Sequence, residues 1–300
     1  MDVKNKLEYV QTVDHRYSTP GNEMVSLRED ALQMLAATSR TFYIPISRLP
    51  DGLLEAVGSG YLCLRAIDEI EDHSELEAVD KIYLLQSISN RFQSITGNQG
   101  LDELREMLLS YCKALPEVTL RLGDWANLAP QSIAPRIWDV TATMAERMSG
   151  WVASDFLVQT EADLDRYTFG VAGAVGLMLS DLWAWYNGTR TDRGLAVGFG
   201  RGLQAVNILR NRAEDVRRGA DFFPCGWGYQ EMYAYARRNL SYAGLYEQSL
   251  PAGPVQDFCR IPLALAYATL EAHEQGREKL SREEVLQVLQ QLSKFSGRKT

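Results

Sequence analysis

The sequence predicts an all-α protein organised as one domain. From residue 26 onward, apolar side chains recur at the three- and four-residue spacing of a helix face almost without a break. No segment alternates apolar and polar residues every second position with the β-branched enrichment of a strand. Neither a low-complexity linker nor a domain-sized repeat divides the 300 residues. One helical domain over residues 26–300 is therefore the simplest organisation.

Proline and glycine mark many of the predicted helix boundaries. Residues 1–25 are predicted as a mobile N-terminal arm with a turn at Thr19–Asn22. After a break at Ile44–Asp51, Pro50 is predicted to open a helix that runs toward Asp72, since proline suits the first helical turn. Further helices are predicted over about 76–95, 102–114, 136–157, 162–186, 195–218, 228–246, 254–274 and 281–294.

Composition excludes some functional classes. Acidic side chains number 39 and basic ones 31, a formal net charge of −8 without a basic stripe, so no nucleic-acid partner is predicted. The longest apolar stretch, Gly170–Tyr186, is interrupted by Ser180 and Asp181 and is short for a span of ~20 residues, which predicts no transmembrane helix. The four cysteines have no metal-binding spacing and fit free thiols in a reducing cytoplasm.

The first candidate site is an acidic motif near the end of the helix that approaches Asp72. Asp68 and Asp72 are four residues apart, so their carboxylates share one helix face, with Arg65 and Tyr61 close to it. Like charges one turn apart repel, and Mg²⁺, which prefers carboxylate and phosphate oxygens, would remove that penalty. A solvated acidic helix end fits the same pattern, but the tight, apolar approach at Gly58–Leu64 favours the metal site.

A second stripe of polar side chains repeats this arrangement. Asn207, Asn211 and Asp215 recur every four residues, and Gln204 lies three residues before Asn207 on the same side. The stripe fits either a hydrogen-bond network between helices or half of a metal–diphosphate site. Helical bundles build their metal sites from facing helices, so two such stripes in one chain favour a shared site.

Five segments, in order over about residues 28–275, resemble the squalene/phytoene synthase family, and squalene synthases in particular. They are similar, in turn, to the substrate-binding flap, the first aspartate-rich motif, the central tyrosine helix, the second aspartate-rich motif and the C-terminal helix of that family. The segments are Ser39–Phe42 with Leu49–Pro50, Tyr61–Asp72, Asp163–Gly176, Leu203–Asp215 and Phe258–Leu270.

The resemblance implies an isoprenoid synthase fold, a helical bundle around a central cavity. It implies head-to-head condensation of two farnesyl diphosphates to a presqualene diphosphate or squalene-type C30 product. Tyr167 matches the catalytic tyrosine, with Asp68 and Asp72 also catalytic. The implied ligands of Mg²⁺, or of Mn²⁺ in its place, are Asp68, Asp72, Asn211 and Asp215. The implied substrate-binding residues are Ser39, Arg40, Phe42, Tyr61, Arg65, Gln204, Asn207 and Arg210.

Two positions depart from the family pattern. Asn211 stands where the family has aspartate, and Ala220 stands where it has arginine. One negative charge and one bidentate diphosphate contact are therefore missing, and Arg212, Arg217 or Arg218 could replace the arginine. The departures leave open a one-substrate enzyme, a farnesyl diphosphate phosphatase or a terpene synthase (lyase). A non-catalytic helical or lipid-binding protein is the third reading.

Several properties stay open at this point: the need for NADPH, the preferred chain length and the oligomeric state. The sequence has no G-x-G-x-x-G fingerprint between a strand and a helix, although an all-helical enzyme would bind NADPH differently. The N-terminus carries no signal-peptide pattern, so a cytoplasmic protein is predicted. An isoprenoid product would be apolar, which leaves room for peripheral contact with a membrane.

Overall fold

The computed structural model describes residues 20–95, 98–277 and 279–296. Those residues contain helices and connecting turns and no strand, which confirms the all-α prediction. In chain order the elements are α1 (Pro20–Thr38), α2 (Arg40–Ile46), α3 (Leu53–Glu71), α4 (Ala78–Ser94), α5 (Asn98–Leu109), α6 (Glu117–Leu120), α7 (Leu122–Leu128), α8 (Ala134–Ala153), α9 (Glu161–Thr168), a π-helical turn (Phe169–Gly173), α10 (Ala174–Asn187), α11 (Arg193–Arg217), α12 (Tyr229–Ser249), α13 (Pro254–Glu274) and α14 (Arg282–Ser296).

The first helix starts earlier than the sequence predicts. Residues 1–19 of the predicted arm lie outside the described residues, but Pro20–Asn22, predicted as part of a turn, belong to α1. Proline lacks an amide hydrogen that the first helical turn would leave unpaired in any case, so Pro20 is compatible with a helix start. The turn prediction was therefore wrong for these three residues.

The helix predicted to open at Pro50 begins instead at Leu53. Gly52 precedes it with φ +81°, a conformation that favours glycine, and its N–H donates to the carboxylate of Glu55 at 2.6 Å. This cap fixes the start of the helix three residues after the proline. The segment 117–128, for which no helix was predicted, forms the two short helices α6 and α7.

Helix α3 is the central element of the core. Of its 19 residues 14 are buried, which is the pattern of a helix surrounded by protein on all sides. It packs against α1, α6, α7 and α8, and the buried hydroxyl of Thr119 on α6 donates to the carbonyl of Ala66 at 2.9 Å. The charged side chains of α3 lie mainly in its last two turns, from Arg65 to Glu71. The core thus presents an acidic helix end at a fixed position.

Two glycines let α11 approach the π-helical turn and α10 at backbone contact. A Cβ built on Gly200 would lie 2.1 Å from the carbonyl oxygen of Ala172, and one on Gly176 would lie 2.0 Å from that of Ala196. Both distances are far inside van der Waals contact, so only glycine fits at either position. This crossing fixes the second polar stripe, on α11, relative to the helix that carries Tyr167.

The continuous helix Glu161–Asn187, which combines α9, the π-helical turn and α10, is long and apolar enough to cross a membrane by length and composition. The relevant window has a mean hydropathy of 1.2, and 56% of it is buried inside the protein. Leu182 and Trp183 are fully buried in the core. Core packing therefore accounts for much of the apolar character of this helix, and the absence of a transmembrane span stays a prediction.

The close crossing of α11 predicts that Gly200→Ala lowers the free energy of unfolding by about 1–3 kcal/mol, because an overpacked backbone contact must open. Gly150→Ala is the matched control: it lies in the interior of α8, and an added Cβ would meet nothing within 4 Å. There alanine should be neutral or stabilising by up to about 1 kcal/mol. Urea unfolding of both variants measures the difference, and equal midpoints would contradict the crossing.

Candidate active site

The first acidic motif consists of three carboxylates. One ligand oxygen from each of Asp68, Glu71 and Asp72 can lie within 4.8 Å of the others. Asp68 is half-buried in the last turn of α3, Glu71 is buried, and Asp72 caps the helix C-terminus. Glu71 was not among the predicted ligands, although its spacing of three from Asp68 places both side chains on one helix face.

The cluster carries more negative charge than its surroundings compensate. Burial and the neighbouring Asp72 and Asp68 carboxylates hold the pKa of Glu71 well above its usual range, and its Oε1 has no hydrogen-bond partner among the described residues. Burial and the charge of Asp72 raise the pKa of Asp68 to about 7. The negative end of the α3 dipole adds to this unfavourable field. A hard divalent cation with oxygen ligands, such as Mg²⁺, fits these requirements.

Guanidinium groups partly offset the negative charge. Arg65, on the cavity side of α3, forms ion pairs with Asp68 at 2.7 Å and with Glu69. Arg218, the residue that caps α11, donates to Oδ1 of Asp72 and to Oδ1 of Asp215, at 2.6 Å in each case. It thereby joins the first motif to the last residue of the second.

The second polar stripe divides between three surroundings. Asp215 is buried and faces the first motif through Arg218. Gln204 and Asn207 line an apolar cavity that reaches Asp68, hereafter the main cavity because six of the predicted site residues line it, and the amide of Asn207 lies 3.4 Å from Oε1 of Gln204. Asn211 lines a neighbouring cavity and accepts a hydrogen bond from Nε of Arg210 at 3.1 Å. Its role as a metal ligand stays a prediction.

The main cavity has a volume of about 260 Å³ and is largely apolar, with a polar end at the acidic motif. Six of the predicted site residues line it together: Phe42, Tyr61, Arg65, Asp68, Gln204 and Asn207. Its apolar walls are formed by Ile46, Val57, Leu64, Met144, Val171, Ala172, Val175, Met178, Leu179, Phe199, Leu203 and Phe258. Such a cavity suits a hydrocarbon chain that carries a charged group at one end.

The predicted flap is the short helix α2. Its N-cap is Ser39, whose hydroxyl accepts a hydrogen bond from the N–H of Phe42 at 3.2 Å. The Phe42 ring then packs on Tyr61 with centroids 5.3 Å apart, at the cavity wall. In this structure Ser39 therefore positions Phe42. The side chain of Arg40 lies outside the described residues.

Tyr167 is buried in an aromatic enclosure beside the acidic cluster. Its ring stacks on Phe222 at 4.3 Å and meets the edge of Trp151 at 5.5 Å. Burial, followed by the carboxylates of Glu71, Asp68, Asp72 and Asp215, raises its pKa well above the usual range. The hydroxyl is therefore a neutral phenol near both motifs. Sequence reasoning missed Phe222 and Trp151; the aromatic pair that follows the second motif is the signal for Phe222.

A hydrogen-bond network holds the segment around Tyr167. Tyr235 on α12 donates to Oδ1 of Asp165 at 2.8 Å, and its hydroxyl lies 3.0 Å from that of Thr168. Arg201 on α11 donates to the carbonyl of Asp165 at 2.9 Å. Residues on three elements thus fix the turn of helix on either side of the tyrosine.

The predicted replacements for the arginine missing at position 220 were Arg212, Arg217 and Arg218. Of these, Arg218 contacts the acidic motifs. Arg212 pairs with Asp221 at 3.0 Å and lies 3.7 Å over the ring of Phe223. Arg217 donates to a backbone carbonyl of its own helix, that of Ala213.

Comparison with known proteins follows the same segments. A sequence model of the squalene/phytoene synthase family matches residues 35–227. The chain is 29% identical over 272 residues to a squalene synthase of Schizosaccharomyces pombe, covering 80% of this chain and 58% of that protein. It is 30% identical over 276 residues to squalene synthase BSS of Botryococcus braunii, covering 79% and 57%. The chain thus spans less than two thirds of the length of these relatives.

Solved structures share the fold. A complex of TcSQS with the ligand E5700 aligns with a TM-score of 0.71 at 22% identity, over 87% of this chain and 84% of that chain. A crystal structure of a dehydrosqualene synthase in complex with a ligand aligns with a TM-score of 0.52 at 21% identity, over 92% and 99%. These likenesses show that the chain shares the fold of these structures.

Replacing Glu71 tests the acidic cluster. In EDTA, Glu71→Gln should raise the midpoint of thermal unfolding by about 2–4 °C at pH 8, because the wild-type carboxyl is buried either with a repelled charge or at the cost of keeping a proton bound. A raised pKa means that the folded wild type holds protons which the unfolded chain loses above about pH 4.5. Wild-type stability should therefore fall relative to the variant as pH rises from 4.5, and the difference should vanish at lower pH.

The same substitution that raises the unfolding midpoint in EDTA should lower the affinity for metal. Glu71→Gln should weaken Mn²⁺ binding about tenfold or more, because it removes an anionic ligand. Glu69→Gln is the control, since Glu69 lies two residues away and is already paired with Arg65. Thermal melts in EDTA and with added Mn²⁺, at several pH values, measure both effects. A Glu71→Gln protein with wild-type metal affinity would contradict the three-carboxylate site.

Proposed function

The chain belongs to the squalene/phytoene synthase family, and on this premise we propose that it condenses two isoprenyl diphosphates head to head. The proposed substrate is farnesyl diphosphate, and the product is presqualene diphosphate or a squalene-type C30 hydrocarbon. One observation carries the proposal: an apolar cavity ends at Arg65, Asp68, Gln204 and Asn207, and Asp68 belongs to the acidic cluster that also acts on the buried phenol of Tyr167.

The carboxylates present are suited to Mg²⁺, with Mn²⁺ as a substitute. Asp68, Glu71 and Asp72 would hold it, with Asp215 and the amide oxygen of Asn211 as the ligands expected from the second motif. The unpartnered Oε1 of Glu71 supports this assignment. When bound, the metal neutralises the charge that develops on a leaving diphosphate.

The protein's own groups would bind and orient the substrate. Arg65, at the polar end of the cavity, can pair with diphosphate oxygens, and the amides of Gln204 and Asn207 can donate to them. The neutral phenol of Tyr167 can donate its Oη proton to the diphosphate and so keep the leaving group in place. The apolar walls exclude water from the carbocation that remains.

A neighbouring cavity favours two substrates over one. It has a volume of about 380 Å³ and shares Phe42, Leu203 and Asn207 with the main cavity. Its polar wall includes Arg210 and Asn211. Two adjoining chambers, each with a polar wall, suit a reaction in which two chains meet, whereas a phosphatase or a terpene synthase requires one.

A product assay separates these functions. The purified protein is incubated with farnesyl diphosphate and Mg²⁺, with and without NADPH, and the products are identified by mass spectrometry. A cyclopropyl C30 diphosphate or squalene would support condensation, and the effect of NADPH would show whether a reductive step follows. Farnesol or a cyclic C15 product would instead support the one-substrate enzyme.

Two conservative variants test the assigned roles. Asp68→Asn should lower kcat/KM about a hundredfold or more, because an amide replaces an anionic ligand in the metal site. Tyr167→Phe keeps the stacking on Phe222 and removes only Oη, and it should lower kcat about 10²–10⁴-fold with a smaller effect on KM. The control is Tyr233→Phe, which removes a hydroxyl that contacts His273. The kcat and KM of this variant should stay near those of the wild type. Full activity of either site variant would refute its role.

A further inference from the structure

Arg218 occupies the gap between the two acidic motifs. Its Nη1 donates to Oδ1 of Asp72 at 2.6 Å and lies 3.2 Å from the Asp72 carbonyl oxygen, while its Nη2 donates to Oδ1 of Asp215 at 2.6 Å. The guanidinium thus bridges carboxylates that are 143 positions apart in the chain (72 and 215). These carboxylates are two of those proposed to hold the metal.

The contact depends on the position of this arginine and not on a general excess of basic residues. Arg217, the preceding residue, donates to the Ala213 carbonyl, and Arg212 is paired with Asp221. Arg218 caps the C-terminus of α11, where a cation is also favoured by the helix dipole. Asp72 and Asp215 raise its pKa further above the usual range. It is a permanent positive charge at this site.

A metal ion held by Asp72 and Asp215 would compete with Arg218 for their oxygens. The Asp215 side chain is 8% exposed, so few directions of approach remain once the guanidinium is in contact. A divalent cation that bound both carboxylates would also lie within a few ångströms of the arginine charge, and the two cations would repel. Metal binding therefore requires the Arg218 side chain to withdraw.

The structure provides space for that withdrawal. The arginine borders a cavity of about 590 Å³, which is also lined by Glu71, Asp72 and Asp155. The Arg218 side chain is already one third exposed, and Asp155 is another acidic side chain on the wall of this cavity. The cavity thus offers the guanidinium a space beside its present position.

We propose that Arg218 is a displaceable internal counter-ion of the metal site. Without metal, it bridges Asp72 and Asp215. The bridge keeps the C-terminal ends of α3 and α11 close enough for both carboxylates to bind one ion. When Mg²⁺ binds, the arginine releases both carboxylates, so the contact sets the Mg²⁺ concentration at which the site assembles. The inference rests on the proposed function only where it assumes that these carboxylates bind the metal.

Metal affinity without substrate is the direct test. Mn²⁺ binding to the full chain, followed by electron paramagnetic resonance, should be about five- to tenfold tighter in Arg218→Gln than in the wild type. Arg217→Gln carries the same change of charge one residue away and should bind Mn²⁺ like the wild type. In EDTA, Arg218→Gln should also melt at a lower temperature than Arg217→Gln, because it leaves Asp72 and Asp215 without their counter-ion.

A third variant separates the bridge from simple charge. Arg218→Lys keeps the positive charge but lacks the two-pronged donor, so its Mn²⁺ affinity should lie between those of Arg218→Gln and the wild type. Equal affinity in Arg218→Gln and Arg217→Gln, equal affinity in Arg218→Lys and the wild type, or no Mn²⁺ binding in any variant would each overturn the inference.

Turnover of farnesyl diphosphate distinguishes this inference from the proposed function. If the wild type forms a C30 product while Arg218→Gln binds Mn²⁺ no more tightly, the counter-ion is refuted and the function stands. If Arg218→Gln binds Mn²⁺ more tightly but no variant converts farnesyl diphosphate, the counter-ion is supported and the function is refuted.

Discussion

The concentration of negative charge at the C-terminal end of a buried helix is the constraint on which the rest of the site depends. Helix α3 is surrounded by protein, and it ends in Asp68, Glu71 and Asp72, where the helix dipole is also negative. Such an arrangement costs free energy unless positive charge is supplied. The arginines from α3 and α11 supply part of it, and the remainder accounts for the raised pKa values of Asp68 and Glu71.

The helices around α3 bring other groups to this charge. Glycines on α10 and α11 allow backbone contact, which places the second polar stripe beside the first. The same crossing brings the helix of Tyr167 next to the cluster, where Phe222 and Trp151 enclose its ring. The apolar cavity is the space that remains between these helices on the other side of the charged residues. Charge, phenol and hydrocarbon surface therefore meet in one place because of how closely the backbones pack.

Much of this arrangement could be predicted from the sequence. The helix periodicity and the four-residue spacing of acidic and amide side chains are local properties, so the all-α fold and the two motifs followed from them. Glu71 was overlooked because the amino-acid sequence around a carboxylate in an acidic segment is the same whether that side chain is buried or exposed to solvent. The bridge made by Arg218 depends on the packing of α3 against the end of α11, which no local pattern reports. The position of Asn211, which lines the neighbouring cavity and not the main one, has the same origin.

The π-helical turn at Phe169–Gly173 has a consequence for how this protein can change over evolution. A π-helical turn accommodates one residue more than an α-helix of the same length, so it behaves as an insertion absorbed within a continuous helix. Loss of that residue would restore a regular α-helix and leave Tyr167 and α10 in their present directions, whereas loss of a residue from α9 or α10 themselves would rotate one flank against the other by about 100°. The π-helical turn is thus a place in this helix where the chain can lose a residue without moving the phenol of Tyr167 out of its enclosure.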